Sequence, residues 1–181
     1  MTYAFLRRSW VWACATLALC SATAMAATAL DDDETPWQED APASAPAFST
    51  SSLLGIDLGN SSALRFGIDP ATLSIGKDDV VHYVMVATST SGAQNVWFQG
   101  INCHKGEVKT YARWTLASSE GPAHWYMAEN AEWHSLFEGS TFVRPALNLA
   151  QSGLCDGSTP NRPIAKMLRD LRQGPQVDRY R

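Results

Sequence analysis

Histidine and cysteine are the side chains in this chain that could bind a metal or activate a nucleophile. His124 and His134 fall in one loop-like stretch with Glu132, and these three residues could meet in a metal or hydrolytic site. However, the histidines lack the i, i+4 spacing of a helical zinc motif. The chain also lacks a nucleophile elbow, a phosphate loop and a dinucleotide fingerprint. The catalytic residues therefore stay unknown, and no metal and no cofactor are predicted.

The cysteines favour a structural bond over a reactive thiol. Cys103 is followed by His104, but adjacent residues on a strand point to opposite faces, so His104 is poorly placed as its base. Cys14 and Cys20 fall in the export signal discussed below, which leaves Cys103 and Cys155 in the mature chain. In an exported protein, such a pair predicts one disulfide that ties a helix to a sheet.

The tryptophans are the best lead to a binding surface, because tryptophan is enriched where proteins bind partners. Trp97, Trp114, Trp125 and Trp133 cluster in one stretch of the chain, and burial in the core is the alternative reading for this cluster. Trp114 is in phase with Val108, so we expect it in the core. Trp97 is out of phase with its strand neighbours and Trp133 lies in a loop, which makes both candidate binding residues with partly exposed rings.

Apolar alternation in the first part of the folded region predicts an antiparallel meander of about five strands. Val80–Thr88 is the clearest strand, and its apolar residues on both faces predict a central position covered on both sides. We expect the strand before it to end at Asp69-Pro70, since proline cannot donate to a central ladder. A hairpin turn at 104–107 leads into a returning strand at 108–114.

Helical spacing is found in the last part of the chain. A first helix is expected over residues 142–150, with Pro145 in its first turn and Gly153 just past its end. A second helix is expected over residues 163–173, with Gly174 as its stop. Strands first and helices second predict an α+β fold, in which two C-terminal helices pack on one face of the meander.

The first 26 residues have the pattern of a secretory signal peptide. Two arginines precede an apolar stretch that is too short for a transmembrane helix, and small residues precede a cleavage site between Ala26 and Ala27. Lipoprotein processing needs a small residue where Leu19 stands, so we do not expect lipid anchoring at Cys20. The sequence thus predicts a periplasmic protein that is not integral to the membrane.

Charge and composition divide the rest of the chain. The 14 basic and 18 acidic residues give a net charge of −4, and loss of two arginines with the signal peptide takes it to −6. This negative charge argues against nucleic acid as a partner.

The composition of residues 27–52 predicts a disordered acidic and Pro/Ser/Ala-rich linker, in which Trp37 and Phe48 are the side chains able to dock on the domain. The domain is expected over residues 53–173, followed by a flexible tail at 174–181.

One run of residues carries a family resemblance. It includes Ile68-Asp69-Pro70, Leu73-Ser74-Ile75-Gly76, Asp79-Val80-Val81-His82-Tyr83, Gly92-Ala93-Gln94-Asn95-Val96, Glu107, Lys109, Tyr111, Gly100-Ile101-Asn102-Cys103 and Cys155. These residues resemble a family of small exported bacterial proteins, named after a cryptic neisserial protein and labelled CNP-like. The resemblance implies a bacterial envelope protein with a tryptophan-containing linker, and it supplies no reaction. Glu107 and Trp133 fall where the family tends to keep a polar and an aromatic residue, which adds Glu107 to the candidate binding residues.

Export, a small disulfide-bonded domain and the lack of a catalytic motif predict a non-enzymatic binding or cell-envelope accessory domain. Its partner would be an unknown protein or an envelope component. The alternative is a periplasmic enzyme with an unrecognised site around His124, His134 and Glu132. A deep pocket with converging polar groups would favour the enzyme, whereas an aromatic surface around Trp97 and Trp133 would favour binding.

Overall fold

The structure, a computed structural model, describes residues 36–40, 44–58, 62–119 and 121–174. All of these residues belong to one structural unit, which begins at Pro36. The predicted signal peptide, its cleavage site between Ala26 and Ala27, and Cys20 lie outside the described residues, as does the tail beyond Gly174.

Seven strands form one antiparallel sheet, in which each of the first five strands pairs with the next along the chain. They are β1 (Leu54–Ile56), β2 (Arg65–Ile75), β3 (Val80–Thr88), β4 (Gln94–Asn102), β5 (Glu107–Thr115), β6 (His124–Met127) and β7 (Trp133–Ser135). Both β6 and β7 pair with β5, at different points along that strand. The predicted antiparallel meander is confirmed, with β1 and β7 as short additional strands.

The helices follow the strands, so the predicted α+β fold is also confirmed. They are α1 (Arg144–Leu149), a π-helical turn (Ala150–Leu154) and α2 (Ile164–Gln173), with a small hairpin of β8 (Cys155–Asp156) and β9 (Thr159–Pro160) between the last two. Pro145 lies in the first turn of α1 as predicted, but that helix begins two residues later than expected. Within the described ranges, no helix has the length and apolar character needed to cross a membrane.

β2 continues through Asp69-Pro70, so the prediction that the strand ends there is wrong. The pairing of β2 with β3 shifts register between Asp69 and Ser74, which removes the need for a ladder donor at Pro70. The Thr72 hydroxyl accepts the backbone N–H of Val84 at 2.9 Å and donates to the carbonyl of Asp69 at 2.8 Å. A side chain thus replaces the backbone partner that the irregularity removes.

The two faces of the sheet carry separate apolar cores. On the face that packs against the helices, β3 contributes Val81, Tyr83 and Met85. On the opposite face, β3 contributes Val84 and Val86. The strand is central and covered on both sides, as its composition predicts.

A bulge in β5 changes the face to which its side chains point. The pairing of β5 with β4 skips Tyr111, which makes Tyr111 the extra residue. Val108 packs in the helix-side core, whereas Ala112 and Trp114 pack in the core of the opposite face. The prediction that Trp114 shares a face with Val108 is therefore wrong, because the alternation of period two is interrupted at the bulge.

The face opposite the helices is covered by the N-terminal segment, a name used here for residues 36–40 and 44–52. The Phe48 ring packs against Trp125, with 5.3 Å between the ring centroids. The indole N–H of Trp125 donates to the carbonyl of Pro46 at 2.9 Å. The region predicted to be a linker therefore makes specific contacts at its described residues, and the boundary of the domain at residue 53 stays a prediction.

Candidate functional site

Cys103 and Cys155 form a disulfide, as predicted, with 5.7 Å between their Cα atoms. Cys103 directly follows β4, and Cys155 directly follows the π-helical turn, so the bond ties the sheet to the helical layer. A sulfur in a disulfide is not a thiolate. Cys103 is therefore unavailable as a nucleophile in this structure.

His124 and His134 do not share a site. His124 pairs with Thr115 at one end of β5, and His134 pairs with Val108 near the other end. The separation along the strand is roughly 23 Å at about 3.3 Å per residue. Glu132 and His134 line the same surface depression, so the structure assembles only part of the predicted enzymatic site. No group of three or more potential metal ligands is found in the described part of the chain.

Trp97 lines a cavity of about 290 Å³ on the helix side of the sheet. Phe66, Met85 and Trp97 come from three successive strands, and Phe142 lines the cavity from the stretch before α1. Arg144 is the one charged side chain among the described residues of the lining, and it is exposed to solvent. We call this space the apolar cavity.

Trp133 belongs to a second site, on the face opposite the helices. Its indole N–H donates to Oε2 of Glu39 at 3.1 Å, and Nζ of Lys109 donates to the same oxygen at 2.9 Å. The hydroxyl of Tyr111 donates to the other carboxylate oxygen of Glu39 at 2.9 Å. We call Lys109, Tyr111 and Trp133 the carboxylate pocket. Three donors on one carboxylate, one of them charged, form a strong and directional site.

The electrostatics of the carboxylate pocket keep Glu39 ionised. Burial raises the pKa of Glu39, but hydrogen bonds from Lys109, Tyr111 and Trp133, together with the charge of Lys109, outweigh this effect. The pKa of Glu39 consequently lies below its ordinary value of 4.5. Burial, with the neighbouring Glu39 adding to it, raises the pKa of Tyr111 far above its ordinary value. Tyr111 thus keeps its proton and acts as a hydrogen-bond donor.

Trp37 is the second anchor of the N-terminal segment at this site. Its indole N–H donates to the carbonyl of Asp78 at 2.9 Å, and its ring packs edge-on against Trp133 with centroids 6.0 Å apart. Nζ of Lys105 lies 4.2 Å from the centroid of the Trp37 ring, which is a cation–π contact. Trp37 and Glu39 together place an aromatic ring and a carboxylate beside two lysines.

A buried imidazole packs beside the carboxylate pocket. The ring of His82 lies 5.4 Å from that of Tyr111 and 5.7 Å from that of Phe98, measured between centroids. Burial lowers the pKa of His82 below its ordinary value of 6.5, although the nearby charges of Asp78 and Glu39 oppose this shift. His82 therefore supports the Tyr111 ring as a neutral group near pH 7.

Gly100 provides the space that the Tyr111 ring occupies. A Cβ atom at Gly100 would lie 2.8 Å from Cε2 of Tyr111 and 2.7 Å from Cγ1 of Val80, closer than real contacts allow. The bulge that brings the ring there lies on the facing strand, at Tyr111. The missing side chain lets the bulged tyrosine lie against β4 and present its hydroxyl to Glu39.

The three predicted binding residues lie in different places. Trp97 lines the apolar cavity and Trp133 the carboxylate pocket, on opposite faces of the sheet, so they do not form one aromatic surface. Both rings are half-buried. Glu107 begins β5, where it pairs with Asn102 and Ser135, and its role as a binding residue stays a prediction.

Sequence reasoning missed Glu39, Lys109 and Tyr111 as parts of a site. Glu39 lies in the region predicted to be a linker, and a bulge that the sequence pattern does not reveal decides the side to which Tyr111 points. The available signal was Trp37, because a tryptophan in an otherwise polar segment is costly to leave in water.

Comparison with known protein families matches residues 32–172 to the CNP1-like family. The match covers more than half of the chain, and it includes the N-terminal segment as well as both cysteines of the disulfide. No curated protein and no solved structure matches the chain.

Proposed function

The chain belongs to the CNP1-like family, and we propose on that premise that it is an exported, non-enzymatic binding domain of the bacterial cell envelope. In this proposal its ligand is an amphiphile with an apolar body and an anionic group, held in the apolar cavity. The observation that carries the proposal is the cavity of about 290 Å³, with aromatic and aliphatic walls and Arg144 in its lining.

Two features of different kinds support export. The N-terminal pattern predicts cleavage between Ala26 and Ala27, and the Cys103–Cys155 disulfide suits an oxidising compartment such as the periplasm. The test is the intact mass of protein purified from the periplasm, which we expect to match a chain that begins at Ala27. A mass that includes diacylglycerol on Cys20, or an uncleaved N-terminus, contradicts this part of the proposal.

The lining of the apolar cavity indicates the ligand class. Phe66, Met85 and Trp97 present apolar surface that favours a hydrocarbon chain or ring over a hydrated group. The volume lies near the lower end of ligand pockets, which suits a small molecule or one short acyl chain. The Arg144 guanidinium is always charged and pairs well with a carboxylate or phosphate. A fatty-acid-like molecule meets both requirements.

The alternative function is an enzyme with a site around His124, His134 and Glu132. It would need both histidines near one substrate, but they pair with opposite ends of β5. Glu132 and His134 alone line an open depression on the surface. The binding proposal uses the apolar cavity as the structure presents it, and for that reason it is the one we favour.

Decanoate is a suitable probe, because it combines a short acyl chain with a carboxylate. We expect saturable binding to the mature protein in calorimetry. Leu64→Trp, which adds bulk in the lining, should weaken binding about tenfold, which corresponds to about 1.4 kcal/mol. The matched control is Leu116→Trp, at a side chain that is 64% exposed and outside the described lining. Equal binding by wild type and Leu64→Trp contradicts the proposed site.

The anionic part of the ligand is tested separately. Arg144→Gln should weaken the binding of decanoate and leave the binding of decanol unchanged, since decanol has no charge to pair with the guanidinium. Arg172→Gln, which removes another exposed arginine outside this cavity, should change neither. If decanoate binds Arg144→Gln as tightly as wild type, the ligand does not use this arginine.

A further inference from the structure

The N-terminal segment lies over the carboxylate pocket as an extended peptide. Trp37 and Glu39 are half-buried, whereas Gln38 and Asp40 are exposed, which is the alternation expected of extended backbone. Residues 36–40 form neither helix nor strand, so this stretch adds no strand to the sheet. The side chains of Trp37 and Glu39, which are two residues apart, therefore provide most of the contacts between this stretch and the pocket.

The carboxylate end of this peptide is held by groups on regular structure. The side chains of Lys109 and Glu39 are only 15% and 20% exposed, and their ion pair measures 2.9 Å. Lys109 and Tyr111 are on β5, and Trp133 is on the neighbouring β7. Donors fixed on strands are positioned before a ligand arrives, which is what a recognition site for a carboxylate requires.

The aromatic end is held by weaker and more adaptable contacts. Trp37 contacts Lys105 through its ring face and donates its indole N–H to the carbonyl of Asp78. One backbone contact follows, in which the N–H of Asp40 donates to Oδ2 of Asp78 at 3.1 Å. These contacts depend on an aromatic ring and an extended backbone.

We propose that the carboxylate pocket is a peptide-binding site, and that Trp37-Gln38-Glu39 is an intramolecular ligand that a partner peptide displaces. The partner peptide is extended, and it carries an aromatic residue two positions before a glutamate or aspartate. This site is separate from the apolar cavity, on the other face of the sheet, so the inference does not depend on the proposed ligand of that cavity.

A tethered ligand changes how the site responds to a free one. The tether gives the intramolecular peptide an effective concentration in the millimolar range, so a partner peptide competes poorly until it is abundant or binds more tightly. Removal of the intramolecular ligand should therefore raise the apparent affinity for a free peptide. If the segment only covered the sheet, its removal would not change the affinity for a free peptide.

The experiment measures binding of a fluorescein-labelled peptide with the sequence of residues 34–42 to the full mature chain by anisotropy. We expect the double variant Trp37→Ala/Glu39→Gln to bind the peptide at least about tenfold more tightly than wild type, because the competing ligand is gone. A peptide in which the residue equivalent to Glu39 is glutamine should bind about tenfold more weakly. Equal affinities of wild type and double variant for the original peptide overturn the proposal.

The pocket side is tested in the same double variant. An added Lys109→Met should abolish peptide binding, since it removes the charged donor to the carboxylate. An added Lys77→Met, at an exposed lysine in the turn before β3, is the matched control and should leave binding unchanged. Equal loss with both lysine variants indicates attraction by charge in general and overturns the assignment of the pocket.

Two further measurements test the proposal if the double variant does not fold or if the protein forms a dimer. If the double variant loses its cooperative thermal transition, wild type is titrated with unlabelled peptide to about 1 mM, near the effective concentration of the tether. The indole N–H resonances of Trp37 and Trp133 should then shift, and the absence of a shift overturns the proposal. A stable dimer of wild type in sedimentation that the double variant Trp37→Ala/Glu39→Gln converts to a monomer also overturns it, because the occupant is then the segment of a second copy.

Discussion

The helix-covered face and the segment-covered face of the same sheet are held by different kinds of contact. On the helix side, α1, the π-helical turn and α2 bury one continuous apolar cluster, and a disulfide closes it. On the other side, the N-terminal segment covers a smaller cluster and is anchored by polar side chains. The first arrangement is a permanent core, whereas the second combines a partial core with contacts that a competing peptide could make.

The polar anchors of the segment differ along its length. Near Phe48, the segment packs against Trp114 and Trp125, and the N–H of Ser49 donates to Oδ2 of buried Asp69 at 2.8 Å. Near Glu39, apolar contact is limited and the ion pair and its hydrogen bonds dominate. The segment is thus held by apolar packing near Phe48 and by polar contacts near Glu39, which is the asymmetry that the proposed exchange requires.

The largest effect is expected from the disulfide on the helix side. Cys103→Ala/Cys155→Ala opens a loop with a sequence separation of 52 residues, so the free energy of unfolding should fall by about 4 kcal/mol in the chain-entropy model. Urea denaturation of the oxidised wild type and the double variant measures the difference. A loss below about 1 kcal/mol would show that the helical layer is held by packing alone and would remove this contrast between the faces.

An intermediate effect is expected from Phe48, where the segment enters the second core. Phe48→Ala should lower the free energy of unfolding by about 2 kcal/mol, less than for a fully buried phenylalanine because this ring is half-buried. Urea denaturation checks the value, with Leu116→Ala at an exposed position as the control. If both variants are equally stable, the Phe48 ring does not contribute to the core.

The smallest effect is expected from Glu39 at the exchangeable end. Glu39→Gln keeps an acceptor but loses the charge, so the free energy of unfolding at pH 7 should fall by roughly 1 kcal/mol. The folded state lowers the pKa of Glu39, so its stabilisation is present above the ordinary value of 4.5 and is lost as the pH falls through the lowered value. The difference between wild type and variant should therefore narrow as the pH falls below about 4.5.

Unfolding at a series of pH values measures this difference. His82 is present in both proteins, so the decline caused by its lowered pKa, which begins as the pH falls below 6.5, cancels except for the part that the charge of Glu39 contributes to that pKa. Lys109, Tyr111 and Asp78 are further titratable groups in this region, and they too are common to both proteins. A difference that widens as the pH falls below about 4.5 would show that Glu39 is destabilised by its surroundings.

Local sequence patterns were informative where the chain is regular. The apolar residues on both faces of Val80–Thr88 predicted a central strand, and the helical spacing near Leu147 and Leu168 predicted helices where α1 and α2 lie. These elements follow their patterns because, in a regular strand or helix, the face on which a side chain lies is set by its spacing from residues close in sequence. At Asp69-Pro70 and Tyr111 the patterns failed, because a register shift and a bulge depend on the facing strand.

The candidate sites were less predictable than the fold. Trp97 and Trp133 were identified as binding candidates by composition, but the sequence offered no means of placing them on opposite faces. Lys109 was not identified, because a lysine on a strand is ordinary until the carboxylate of Glu39 is beside it. Side chains that converge from distant parts of the chain leave no local pattern.

The sequence by itself determined the α+β class and the pairing of Cys103 with Cys155, because period, order of elements and cysteine count are local or additive properties. Only the tertiary structure decided that Glu39 meets Lys109, 70 residues away, and Trp133, 94 residues away. Those contacts require the sheet to be built, the β5 bulge to turn Tyr111, and the N-terminal segment to lie across the finished face. A carboxylate in an apparently solvated stretch thereby accepts hydrogen bonds from three side chains of the sheet.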